Sequence, residues 1–116
     1  LIGRAIQPIG LVLSSAVTED AIRVTCETPE EAGYLFLALQ SECGLRQLKS
    51  RCFGGSIPHL DVNNIGQVLV PELDAAGRHY LGELAVRIST LRTQAIGKEV
   101  RARELVEQTI EASVRN

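Results

Sequence analysis

The chain has 116 residues, 45% of them hydrophobic and 22% charged, with a formal net charge of −2. This is ordinary globular composition, with enough chain to bury one core and little room for a second. No apolar run approaches the roughly 18 residues of a membrane span, and no basic-then-apolar leader opens the chain. A mildly acidic total also argues against a surface built throughout for nucleic acid. The expectation is a cytoplasmic protein with no membrane partner.

Leu1 to Val17 mixes apolar residues with Gly3, Pro8, Gly10 and the Ser14-Ser15 pair, a pattern of short strands and turns. Ile22-Arg23-Val24-Thr25-Cys26 alternates apolar and polar side chains, as a half-buried strand does. Thr28-Pro29-Glu30-Glu31 then opens a helix, with a capping hydroxyl, proline at the first helical position and glutamate three residues after the cap. That helix runs through Tyr34, Leu35 and Leu39, with Gly44 as terminator beyond Ser41. A second short helix follows from about Leu45 to Arg51, with Leu45 and Leu48 inward.

The stretch from Phe53 to Pro71 separates this mixed region from a long helical one. Gly54 and Gly55 permit positive φ, while Pro58 fixes its own φ and pushes Ile57 toward an extended conformation. The resulting bent loop presents Ser56 and His59 and is pinned by Ile57 and Leu60. Asp61 caps one helical turn, and Val68-Leu69-Val70 reads as a buried strand closed by Pro71. No acidic residue lies between Glu42 and Asp61, whereas Arg46, Lys49 and Arg51 all do. These three are either a solvated helix face or a phosphate-contacting patch, with Ser56 and His59 near enough to reach phosphates or base edges.

From about Ala75 the pattern changes. Leu81, Leu84, Ile88, Leu91, Ala95, Ala102, Val106 and Ile110 recur at steps that lie along one helical stripe, and no proline follows Pro71. The pattern predicts an amphipathic helix of about 40 residues, roughly 60 Å long. A helix longer than the domain before it cannot be covered by that domain, so its stripe needs a partner helix. Gly82 and Gly97 each weaken it by about 1 kcal/mol relative to alanine. Gly97, near Ala95 and Ala102, is also a place where another helix can approach closely.

Cys26, Cys43 and Cys52 are an odd set without a disulfide-framework spacing, and Cys43, Cys52 and His59 match no compact metal-ligand pattern. Buried free cysteine is commonly a small hydrophobe. No Lys-Ser or Lys-Thr follows the glycine pair, which argues against a nucleotide phosphate loop. His79 reads as a surface or packing residue. The chain opens at Leu1 and contains no methionine, which predicts a piece of a longer polypeptide.

Taken in order, the segment from Gly33-Tyr34-Leu35-Phe36-Leu37-Ala38-Leu39-Gln40 to Gly44, the basics from Lys49 to Arg51, Gly55-Ser56-Ile57-Pro58-His59-Leu60, Val70-Pro71 and the long helix ending Arg103 to Ile110 resemble a type I restriction-modification specificity subunit. The resemblance covers roughly Ser15 to Ala112. It implies a non-catalytic component, whose family carries recognition domains that each read half of a split DNA site, joined by long antiparallel helices. Those helices act as spacers and hold the methyltransferase subunits, while S-adenosylmethionine and ATP-driven cleavage belong to other subunits. On this resemblance, residues 1–73 are part of a target recognition domain and residues 74–116 are the spacer and dimerisation arm. No cofactor or metal is expected. The implied partners are double-stranded DNA, the modification and restriction subunits, and a second long helix from the same parent chain or another copy.

The expected fold is α+β, a small mixed helix and strand head followed by one long C-terminal α-helix. The expected DNA contacts are Arg46, Lys49, Arg51, Ser56 and His59. The expected helix-pairing residues are Leu84, Ile88, Leu91, Ala95, Ala102, Val106 and Ile110. Two other readings stand beside this one. The first is a helix-pairing assembly module that touches no nucleic acid, and the second is a cysteine-dependent enzyme.

Overall fold

Capping side chains decide where each helix begins. The computed structural model describes residues 4–7, 16, 21–55 and 59–116, with helices α1 (Pro29–Gln40), α2 (Glu42–Ser50), α3 (Val62–Gly66) and α4 (Ala75–Val114). The first backbone amides of a helix have no partner within it. Here Thr28 Oγ1 accepts from the Glu31 amide at 3.1 Å, Ser41 Oγ from Gly44 at 3.1 Å, Asp61 Oδ1 from Asn64 at 2.7 Å and Asp74 Oδ1 from Gly77 at 2.7 Å. Glu31 also reaches back to accept from the Glu27 amide at 3.2 Å, which completes the cap of α1.

The expected α+β class is overturned. Helix accounts for 67% of the described residues and strand for 2%, with no sheet. The strand-like part is a single antiparallel bridge between Phe53 and His59, closed by amide-to-carbonyl bonds of 2.9 and 2.7 Å. Gly54 takes the positive φ, 99°, that turns the chain there. Ile22 to Cys26 has the alternation of a strand but no ladder among the described residues, because alternation supplies a face and not a neighbouring strand. Of the opening from Leu1 to Val17, only residues 4–7 and 16 are described, and none is strand. The rest of that expectation lies outside the described residues.

Val68-Leu69-Val70 fails as a buried strand for a more instructive reason. The Val68 amide closes the preceding turn on the Ile65 carbonyl, and the Leu69 backbone pairs with a side chain rather than with another strand. Gln47 Nε2 donates to the Leu69 carbonyl at 2.9 Å, and the Leu69 amide donates to Gln47 Oε1 at 2.8 Å. Arg51 Nη2 donates to the Gln67 carbonyl at 2.9 Å, and the Tyr34 hydroxyl donates to the Pro71 carbonyl. Tyr34 of α1, Gln47 of α2 and Arg51 at the C-cap of α2 thus hold residues 67–71, while Leu69 is 78% exposed.

Gly44 also differs from its expected role. Ser41 both ends α1 and caps α2, so the second helix begins three residues earlier than expected. Gly44 lies buried in the first turn of α2 against the end of α1, where an added Cβ would stand 2.7 Å from the Leu39 carbonyl oxygen.

The packing that unites the chain is α1 on α4, with α2 against α1. At the α1–α4 crossing Gly33 faces Gly82 and Ala85. A Cβ on Gly33 would stand 2.6 Å from the Gly82 carbonyl oxygen, and one on Gly82 would collide with the Glu30 backbone. The buried apolar residues among those described are Tyr34, Leu39, Leu48 and Ala85, all near this crossing or the α1–α2 contact. The long axis of the molecule is 63 Å, about the length of a 40-residue helix.

Candidate functional site

The nine-residue helix α2 and its C-cap residue Arg51 carry two sets of polar side chains with different jobs. Arg46 and Lys49, three residues apart, share a face because such positions are neighbours on a helix, and both are exposed. Gln47 and Arg51, four apart, share another face, the one that holds residues 67–69. Arg51 is half-buried, and its guanidinium also donates to the Gln47 carbonyl at 3.3 Å. Its Nε is buried with no hydrogen-bond partner among the described residues.

The five proposed DNA contacts therefore do not form one equivalent set. Arg46 pairs with Glu42 at 2.5 Å, with both side chains about four-fifths exposed. Such a pair is weak and easily exchanged for another anion. Lys49 is exposed and has no ion-pair partner among the described residues. Arg51 is committed to backbone carbonyls and has a structural job. His59 is exposed on the Phe53–His59 bridge, its ring 6.0 Å from that of Phe53 at a 40° tilt. Ser56 lies outside the described residues. Gln47 and Tyr34 were not singled out by sequence. The signal that could have found Gln47 is its spacing of four from Arg51.

The residues expected to pair with another helix are exposed. Leu84 is 36% exposed, Leu91 55%, Val106 59% and Ile110 56%; Ala95 and Ala102 are open as well. On α4, Gly82 and Ala85 are buried against α1, and Ser89, half-buried one turn on, bonds Gln7. At 100° per residue these centre roughly 120° around the helix from Leu84, Ile88, Leu91 and Ala95. The head therefore leaves the apolar stripe uncovered. Gly97 has open space around the position of a Cβ.

No family model, curated protein or solved structure matches this chain. The chemistry must be read from its own groups. Among the described residues no three metal-ligating side chains cluster, and no helix is long and apolar enough to cross a membrane. An open cleft of about 650 Å³ lies between the N-termini of α1 and α4, where Glu30, Glu31 and Glu72 face Arg78 and His79. His79 lies 3.5 Å from Glu83 one turn on. The three cysteines are free. Partial burial, and then the nearby Glu31 carboxylate, push the Cys26 thiol above its ordinary range, the reverse of what an activated nucleophile requires.

Proposed function

We propose that this chain is a non-catalytic DNA-recognition component of the type I restriction-modification specificity kind. Its helical head meets duplex DNA, and α4 serves as spacer and docking arm for methyltransferase subunits. The observation that carries this reading is the division of α4. Its first turns are locked to the head at Gly82 and Ala85, and the rest projects with an uncovered apolar face. On the head, Arg46 and Lys49 of α2 face outward together, while Arg51 at its C-cap is held inward. Phosphate contact belongs to the outward pair, and Arg51 supports the surface from behind.

The test is binding to a mixed-sequence duplex at several salt concentrations. Each lost phosphate contact flattens the log–log slope by about 0.9. Lys49→Ala and Arg46→Ala should each flatten it, whereas Arg51→Ala should lower the melting temperature and leave the slope of the remaining folded protein unchanged. Unchanged slopes for both outward residues would remove DNA contact from α2. The assembly module without nucleic-acid contact is favoured by two observations: Arg46 already has an anionic partner, and the net charge is −2. It becomes the better account if no salt-dependent binding is measured.

A further inference from the structure

Phosphate contacts set a protein's position on a duplex, whereas groups that touch the base edges report its sequence. The head carries an exposed side chain whose chemistry fits one feature of those edges. Between Glu42 and Asp61, the stretch without an acidic residue, Phe53 is the one large hydrophobic side chain left exposed among the described residues. Leu48 is buried there, and Leu45 and Leu60 are partly covered. An isolated surface phenylalanine needs no explanation on its own. Its surroundings give this one a use.

We propose that Phe53 reads thymine, by contact between its ring and the C5-methyl group in the major groove of duplex DNA. The inference deepens the DNA-contact half of the proposed function and rests on it. A phenyl ring has no donor or acceptor, so it cannot answer the hydrogen-bonding pattern of a base edge. The thymine methyl is the alkyl group that the major groove displays, and apolar contact is how it is recognised.

The ring is held ready for that contact. Phe53 and His59 exchange backbone bonds of 2.9 and 2.7 Å, and their rings lie 6.0 Å apart at a 40° tilt, within the range in which aromatic pairs attract. Little side-chain freedom is therefore left to lose when DNA arrives. With His59 on one flank and half of the residue exposed, the free part of the ring suits a methyl group better than the whole face of a stacked base. Two antiparallel segments are also a shape that the major groove admits. The residues after the ring, Gly54 and Gly55, are exposed and have no side chains to screen it, and a Cβ on Gly55 would meet nothing within 4 Å. Lys49 is close along the chain, because the Cys52 amide donates to the Lys49 carbonyl at 3.3 Å in the tight turn that leads to Phe53. A phosphate contact and a base contact thus come from one short stretch.

The probes are an alternating dA–dT duplex, which offers thymine in every register, and its counterpart with deoxyuridine in place of thymidine, which lacks only the methyl groups. The full chain should bind the deoxyuridine duplex about fourfold more weakly, the worth of one buried methyl group, with the same salt slope on both. Phe53→Ala should weaken binding to the thymidine duplex, leave the slope unchanged and abolish the difference between the duplexes. Phe53→Leu, which keeps an apolar side chain, should retain most of that difference. Circular dichroism checks that both variants keep their helix, and the comparison of duplexes with the unaltered chain needs no variant. Equal affinity of the unaltered chain for the two duplexes would overturn the proposal, as would a difference that survives in Phe53→Ala. Tighter binding to a single strand than to a duplex, lost in Phe53→Ala, would overturn it too, since the ring would then be stacking on an unpaired base. If the duplexes bind alike with the salt slope of the Lys49 contact, only the reading of thymine fails; if neither binds, the proposed DNA contact fails and this inference falls with it.

Discussion

Gly82 and Gly97 occupy one helix and have opposite surroundings. Around Gly82, α1 approaches so closely that the Glu30 backbone fills the space of a side chain, whereas around Gly97 that space is empty. The first region is a tertiary joint in which glycine's poor helix propensity is offset by close contact. The second is held by helix propensity and side-chain pairs such as Arg103 with Glu99. A single continuous helix can thus be stabilised by two unrelated mechanisms at its two ends.

The largest break in this contrast is Gly82→Ala. Alanine is the better helix former, yet its methyl group must displace the backbone of α1, so we expect a net loss of about 2 kcal/mol in urea or thermal unfolding. A gain in stability would mean that α1 does not lie where described. Gly97→Ala sharpens the contrast from the other side. With nothing to strike, it should stabilise the chain by about 1 kcal/mol, and a comparable loss would reveal a close neighbour at that turn. Gln47→Ala is the smallest change. It removes the two bonds to Leu69 and should cost about 1 kcal/mol or less, because the freed backbone groups are near water. Hydrogen exchange at the Leu69 amide should rise with little change elsewhere, and uniform acceleration would count against a local clamp.

The legible parts of the fold are those governed by local rules. The Thr28 cap with Pro29 and Glu31, the Asp61 cap and the span of α4 all depend on residues within a turn or two of one another. The strands were illegible because a strand is a relation between distant segments. Val68 to Val70 has the composition of a strand, but Gln47 supplies the donor and acceptor that a neighbouring strand would have offered. The charge count that grouped Arg46, Lys49 and Arg51 likewise could not show that Arg51 would be held by two carbonyls. Gly82 read as a weak point in a helix, since propensity assigns a cost to glycine in isolation and says nothing about an approaching backbone.

Ser41 carries a mechanical consequence. It is simultaneously the last cap of α1 and the first of α2, with its hydroxyl bonded to the Ala38 carbonyl on one side and the Gly44 amide on the other. No slack separates the two helices, and α1 is in turn seated on α4. The outward basic face of α2 is consequently geared to the rod. Rotating one about the rod's axis carries the other with it, so a partner gripping the far end would also set the angle at which Lys49 is offered.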